Sequence, residues 1–316
     1  MSDAILFDRD DVDHVELADR PPRLGRAQLL WVDVERGSAD AREVVEALSL
    51  EDATARYLET PQDRPVFSDH GRYLHVTTCA PRDDDAEELQ TIECLVGESW
   101  VVTVHDQPIP VLDEFAARAS GSGDTGMLDG PGFLAALLEW LLGTYTAAFE
   151  RIEQDLEEFD THAMRGEAVA DDIEVLIAMR RKVGTLRRAL AAHRAPLMAL
   201  THPELVLLGN DRSSERFERL YDRYEATLQE ARDAREAIVG SFDVLIARDG
   251  QETNQIMKVL TLASVILLPG ALVAGVMGMN FKVGLFEHDY LFWVVLAVIV
   301  CVAPLTVAIA KQRRWI

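Results

Sequence analysis

The chain has only three cysteines, Cys79, Cys94 and Cys301, scattered over 316 residues. That number and spacing exclude a disulfide framework or a cysteine metal knuckle and agree with packed thiols in a reducing compartment. No charged n-region followed by an apolar stretch opens the sequence, because "MSDAILFDRDDVDH" is acidic and broken, so no cleavable signal is expected. A phosphate loop is missing as well. The Gly-rich piece "ASGSGDTGMLDGPG" (119–132) has no Lys-Ser or Lys-Thr after it and no strand leading into a Gly-x-Gly-x-x-Gly turn, and it reads as a linker. Basic residues are scarce, 31 Lys and Arg against 54 Asp and Glu, and the net charge of -23 repels nucleic acid phosphates and attracts cations. The charged runs "DLEEFD" and "RRKVGTLRR" recur at helical spacing among apolar residues, so they read as solvated helix faces rather than a catalytic carboxylate pair or a nucleic acid patch. An enzyme, an organic cofactor and a nucleic acid partner are not expected.

What is present is concentrated at the C-terminal end. From Val259 to Phe281 no side chain is ionisable, and a helix of that length is enough to cross the roughly 30 Å hydrocarbon core of a bilayer. After Lys282 and the cluster Glu287, His288, Asp289, a second uncharged run spans Tyr290 to Ala310 and ends in "KQRRWI". Phe292 and Trp293 at one edge and Trp315 at the other suit interfacial anchoring, so the pair reads as a transmembrane hairpin. Lys258 precedes the first run and Lys311, Arg313 and Arg314 follow the second, which by the positive-inside rule places both termini in the cytoplasm and the short loop outside. From Asn254 onward five basic residues face two acids, so the net charge divides into +3 there and -26 before it.

The first third alternates. "AQLLWVDVE" (27–35), "YLHVTTCA" (73–80), "LQTIECLVG" (89–97) and "SWVVTVHDQ" (99–107) are β-branched and aromatic runs bounded by turn residues, with helical patterns such as "DAREVVEALSL" between them. An α/β domain is predicted there. Beyond the linker, helices are predicted from about Phe133 to Phe159, from about Asp171 to Leu200, and from about Asp211 onward. In the last of these Phe217, Tyr221, Tyr224, Leu228, Ala231, Ile238, Phe242 and Leu245 form a heptad-like packing seam. No proline lies between Pro203 and Pro269, so this helix can continue unbroken into the first apolar run.

The stretch "ETNQIMKVLTLASVILLPGALVAGVMGMNF" resembles the first membrane helix of the CorA family of divalent cation (magnesium and cobalt) transporters, with Gly278, Met279 and Asn280 at the hallmark positions. The resemblance extends to "WVDV" (31–34), "LSLED" (48–52), "RPVFSDHGRYLHV" (64–76), "WVVTVHD" (100–106) and the basic tail with Trp315. It implies an α+β membrane protein of the inner (plasma) membrane: an N-terminal cytoplasmic α/β domain, a long-helix funnel and two C-terminal transmembrane helices, assembled as a homopentamer. The corresponding segments are 1–130 for the α/β domain, 131–256 for the funnel and 257–281 for the pore-lining first span. An outer loop at 282–289, the second span at 290–311 and a cytoplasmic tail at 312–316 complete the chain.

Mg²⁺ holds its waters tightly, so a pore mouth selects it by offering neutral oxygens to the hydration shell. The carbonyl of Asn280 and the backbone at Gly278, where glycine permits an unusual turn at the helix end, are the expected ring, with Met279 between them. Asn254, Met257, Leu260, Leu268 and Gly275 fall with Thr261, Ser264 and Ala271 on one mostly apolar helical stripe and are the pore and gate candidates. By resemblance, Asp52 and Asp243 with Glu51 beside them form a cytoplasmic site between subunits where Mg²⁺ regulates opening. Two features depart from the family: Ala271 stands where many members have a pore Thr, and "KVGLFEHDY" replaces a loop rich in Pro and acids. The expected cargo is Mg²⁺, with Co²⁺ and Ni²⁺ as further ions. The alternatives are a Zn²⁺ transporter of the ZntB type, using His288 with Glu287 and Asp289, and a membrane-anchored sensor or scaffold without transport.

Overall fold

The computed structural model describes residues 3–8, 12–15, 24–25, 28–48, 50–51, 54–55, 60, 65–82, 88–121, 129–165, 172–202, 211–279 and 289–312. The chain divides into two units, Met1–Phe242 and Asp243–Ile316.

The first unit is built on a seven-stranded sheet of order β2-β1-β3-β7-β6-β5-β4. Its strands are β1 (Asp3–Phe7), β2 (Val12–Val15), β3 (Leu29–Glu35), β4 (Phe67–Asp69), β5 (Leu74–Pro81), β6 (Leu89–Val96) and β7 (Trp100–His105). Only β3 and β7 pair in parallel, with Leu30 opposite Trp100 and Glu35 opposite His105; the other pairs are antiparallel. The two strand motifs "WVDV" and "WVVTVHD" are therefore neighbours at the sheet centre. Side chains pin them together: Trp31 Nε1 donates to Thr103 Oγ1 at 3.0 Å, Thr103 donates to Asp33, and His105 Nε2 meets the second Asp33 oxygen at 3.0 Å. Burial would lower the His105 pKa, but the hydrogen bond and charge of Asp33 prevail and raise it. The hairpin β4–β5 turns through Gly71 at φ +72°, a left-handed conformation that glycine adopts without steric cost, and Asp69 Oδ1 accepts from its N–H at 2.7 Å.

Because side chains alternate along a strand, the sheet buries two faces. On one, Leu30, Val32, Val34, Leu95, Val102 and Val104 pack on Ala41 and Val44 of helix α1 (Ala39–Leu48). The other carries an aromatic cluster in which Phe133 sits 5.8 Å from Phe7, 5.3 Å from Trp31 and 5.4 Å from Phe115. Phe115 lies on helix α2 (Pro110–Gly121) and Phe133 on helix α3 (Gly130–Arg165). The strands β1, β2 and β4 and the helix α2 add to the elements read from the sequence.

The predicted linker is shorter than its composition suggested. Helix α2 takes its first residues, 122–128 lie outside the described residues, and helix α3 begins at its end. Asp129 caps α3 by accepting from Gly132 N–H at 2.8 Å, and Pro131 sits in the first turn where no intrahelical donor is needed. Gly130 serves a second purpose. Its N–H donates to Glu98 O at 2.8 Å, and a Cβ on it would lie 1.9 Å from Gly97 O, so only glycine lets α3 approach the β6–β7 turn.

The second predicted helix is two: α4 (Asp172–Ala192) and α5 (Arg194–Leu200), joined at His193. Helix α6 (Asp211–Met277) is continuous over 67 residues, and its seam residues Phe217, Tyr224, Leu228, Ala231 and Ile238 are buried. Bonds from Arg223 to Glu139, Thr227 to Thr146 and Ser241 to Asp160 ascend both helices together, so α6 runs parallel to α3.

In the second unit, α6 carries the first apolar run and α7 (Asp289–Gln312) the second. Length and apolar composition do not by themselves set α6 apart from α3, which is also long and apolar enough to cross a membrane, at a mean hydropathy of 1.3 against 2.3. Burial does: 61% of the apolar window of α3 is inside the fold, against 0% for that of α6. No residue of the α6 run is buried: a stripe of Leu262, Ile266, Gly270 and Val273 is half-covered, with Gly270 facing Ile299 of α7, and Val259, Leu260, Leu267, Leu268 and Leu272 are all above 60% exposed. A helix apolar all round needs an apolar surround, and here the fold half-covers one face and leaves the rest bare. Pro269 leaves the Val265 carbonyl without its intrahelical donor, which membrane helices tolerate.

Candidate functional site

The expected site lies along the second half of α6. Asn254, Met257, Leu260, Leu268 and Gly275 are all exposed on this helix, with Met257 at 56% and Leu268 at 66%. Two hydroxyls on the same stripe are already satisfied within the helix: Thr261 donates to Met257 O at 2.7 Å and Ser264 to Leu260 O at 2.8 Å. The stripe therefore presents mainly hydrocarbon, with Asn254 as its polar member.

At the helix end, Gly278 N–H donates to Ala274 O at 2.9 Å and Met279 N–H to Val276 O at 3.3 Å, a final turn that tightens as it closes. Gly278 does not adopt a positive φ; a Cβ there would make only an ordinary contact, 3.4 Å from Ala274 O. The backbone of this chain thus does not itself demand glycine at 278, a difference from the unusual turn expected of it. Asn280 and the loop with Glu287 and His288 lie outside the described residues.

Of the expected regulatory acids, Glu51 is held in place. Its Oε2 is 3.0 Å from His70 Nδ1, its N–H donates to the Tyr73 hydroxyl at 3.2 Å, and Tyr73 stacks on His70 at 4.6 Å. Asp243 is exposed on α6 in the second unit, and Asp52 lies outside the described residues. Within one chain, among the described residues, no group of three or more His, Cys, Asp or Glu is placed to hold a metal ion.

Two buried polar centres escaped the sequence reading because their members sit far apart in the chain. Glu93 Oε2 pairs with His75 Nε2 at 2.5 Å and accepts from Thr77 Oγ1 at 2.9 Å, and Arg36 bridges from Glu93 to Asp106. His75, Thr77 and Glu93 are fully buried, so this set braces the sheet. In the second centre, His193 Nε2 lies 2.9 Å from Cys79 N and 3.0 Å from Thr78 Oγ1, while Nδ1 faces Ala189 O at 2.7 Å. A backbone N–H can only donate, so Nε2 is the acceptor and Nδ1 carries the proton. Burial lowers the His193 pKa to about 4, against the partial opposition of the Ala189 bond. The Cys79 and Cys94 thiols are free and pushed upward by burial, which makes them packed rather than reactive, and the free Cys301 is exposed on α7.

A stability change with pH follows from His193. Its folded pKa of about 4 lies below the ordinary 6.5, so the unfolded chain binds the extra proton first. This contribution is intact above pH about 6.5 and is lost as pH falls toward 4, by about 3 kcal/mol in all. Thermal unfolding of wild type and His193→Gln from pH 7.5 to 4.5 checks it. The variant, less stable at neutral pH, should show a shallower acid slope; equal slopes would exclude His193 as the source.

The fold joins an α/β domain to one long helix that continues into an exposed apolar run, followed by a second apolar helix, an arrangement found among membrane transporters. The signature of the CorA-like Mg²⁺ transporter protein family matches residues 26–312, and the chain belongs to that family. It is 22% identical over 258 residues to the cobalt/magnesium transport protein CorA of Methanocaldococcus jannaschii, covering 81% of each chain. The complete structure of the CorA magnesium transporter from the same organism superposes with a TM-score of 0.80 at 20% identity, covering 99% of this chain and 98% of that one. The ZntB cytoplasmic domain from Vibrio parahaemolyticus has the same fold over 79% of this chain and 100% of its own, at a TM-score of 0.63 and 14% identity. Family members are inner-membrane transporters of divalent cations and not enzymes.

Proposed function

We propose that this chain assembles as a homopentamer that takes up Mg²⁺, with Co²⁺ and Ni²⁺ as further cargo, through a central pore lined by α6. The observation that carries this reading is the α6 run, apolar with no buried residue and continuous with a helix packed into the α/β unit. Lipid and neighbouring copies are the surroundings that would cover it. Gly278, Met279 and Asn280 form the mouth: five Asn280 carbonyls meet the hydration shell of the ion without stripping it. The room at Gly278 lets neighbouring helices converge there. Below the mouth, Met257, Leu260 and Leu268 make a constriction that excludes ions by dewetting, with Asn254 toward the cytoplasm and Gly275 at a close helix approach. Two charges moving inward gain about 4.6 kcal/mol per 100 mV of inside-negative potential, so no nucleotide is needed.

Regulation follows from the acidic unit. Carboxylate oxygens are the hard donors that Mg²⁺ prefers, and Glu51 and Asp52 of one copy with Asp243 of the next would hold it. The second Glu51 oxygen and the exposed Asp243 are open to such a contact. A bound ion offsets the repulsion between facing carboxylates and holds the pore closed; its loss at low cytoplasmic Mg²⁺ releases it.

Ion flux into proteoliposomes tests the whole reading. Mg²⁺, Co²⁺, Ni²⁺ and Zn²⁺ are presented with and without a pH gradient, at low and high internal Mg²⁺. Potential-driven Mg²⁺ entry that high internal Mg²⁺ suppresses is expected, as is greater leak for Met257→Ser and Leu268→Ser and loss of the suppression in Asp52→Ala/Asp243→Ala. Flux of Zn²⁺ alone, driven by the pH gradient, would replace this reading with a ZntB-type carrier. No flux of any ion would leave only a membrane anchor.

A further inference from the structure

One cleft of the first unit contradicts its acidic surroundings. Helices α2, α3 and α6 enclose a space of about 840 Å³, within the range of small-molecule sites. It exists because α3 presents Ala135, Gly143 and Ala147, small residues one turn apart or a multiple of it, between two flanking helices. Four arginines line it, Arg118 from α2 and Arg216, Arg219 and Arg223 from α6, against two acids, Glu114 and Glu139. Arg216, Arg219 and Arg223 recur at three and four residues, so all three project from one face of the helix. Arg223 pairs with Glu139 at 2.9 Å, and Arg118 lies 5.2 Å above the Trp140 ring. Neither Arg216 nor Arg219 makes an ion pair or hydrogen bond with any described residue.

Guanidinium groups gathered in one concavity repel each other, and in a segment with 26 excess negative charges nearby carboxylates would ordinarily compensate them. Here Arg216 and Arg219 are left open toward a space large enough for a ligand. The planar fork of arginine matches phosphate oxygens in pairs, and several forks in one cleft match a chain of phosphates.

We propose that this cleft binds a polyphosphate anion, either inorganic or as the phosphate chain of a nucleotide, with Arg216 and Arg219 as its principal contacts. The site lies apart from the pore residues and does not rest on the transport reading.

Titration calorimetry on the full chain in detergent, with EDTA present so that no divalent ion contributes, tests it with tripolyphosphate and ATP as probes. Saturable binding of both is expected. Equal affinities identify the phosphate chain alone as the ligand, and tighter ATP binding identifies a nucleotide stacked on Trp140. Arg216→Gln/Arg219→Gln should weaken binding about 100-fold, at roughly tenfold per charge-assisted contact. Gly143→Leu, which keeps every arginine and fills the floor, should weaken it at least tenfold by the same kind of reckoning. A Cβ at Gly143 would lie 3.9 Å from Arg223 Nη2, so the backbone tolerates that change. The proposal is overturned by absence of saturable binding, or by unchanged affinity in both variants while their melting temperatures match wild type. Loss of the oligomer in the arginine variant without any probe would also overturn it, by marking the cleft as a contact between copies.

Discussion

Asn280→Ala is expected to abolish Mg²⁺ uptake while the oligomer and the folded α/β unit remain as in wild type. The substitution removes a neutral oxygen acceptor and little volume, so packing is spared. In the proposed five-copy ring the change is multiplied: each lost contact to the hydration shell is worth about 1 kcal/mol, and five together make more than a thousandfold difference in ion occupancy at the mouth. The measurement is uptake by proteoliposomes loaded with a Mg²⁺ indicator, beside size-exclusion of the same preparation. Uptake at the wild-type rate would show that the ion is selected elsewhere on α6, and the Gly-Met-Asn end would then be an ordinary helix stop.

Gly130→Ala should be the most destabilising small change in the first unit. The added methyl would lie 1.9 Å from Gly97 O, a backbone atom that cannot rotate away, and relieving that overlap moves the start of α3 off the β6–β7 turn. That displacement also loosens the Gly130 N–H bond to Glu98 and disturbs the seating of Phe133 among Phe7, Trp31 and Phe115. The expected cost is about 3 kcal/mol, or about 10 °C in the unfolding of this unit. Gly240→Ala is the matched control. It lies inside α6 with nothing within 4 Å of its added Cβ, and should leave stability level or raise it by up to about 1 kcal/mol through helix propensity. Intrinsic fluorescence on heating separates the two. Equal melting temperatures for both variants would mean that the α3 start is free to shift.

The apolar stretches of α6 and α7, the unbroken course of α6 from Asp211 to Met277 and the strands β3, β5, β6 and β7 were legible from residue order, because periodicity, length and the absence of proline are local properties. The packing seam was legible for the same reason, since Phe217, Tyr224, Leu228, Ala231 and Ile238 recur on one helical face and are buried. Partners were not. A seam reports that a face is covered but not by what, and only the folded chain supplies α3 and the Leu190 carbonyl that accepts from the Tyr224 hydroxyl at 3.0 Å. α3 and α6 are both long and apolar enough to span, at mean hydropathy 1.3 and 2.3, and only the fold shows that the first is packed inside it while the apolar run of the second is not buried. α4 stops at Ala192, whose carbonyl Pro196 cannot serve, and that much is local; the direction the chain takes there is not, because bonds from His193 to Thr78 and Cys79, more than a hundred positions away, orient the turn. Gly130 read as a loop residue until the approach of Gly97 gave it a steric reason. The four arginines of the cleft come from segments that look like solvated helix faces, and their meeting depends on how α2 and α6 flank the small residues of α3. Sequence by itself determined which segments must leave water and which helix continues into them, since hydrophobicity and backbone propensity act residue by residue. Tertiary structure decided which surfaces meet, because every such contact closes a loop of chain whose far side no local pattern records.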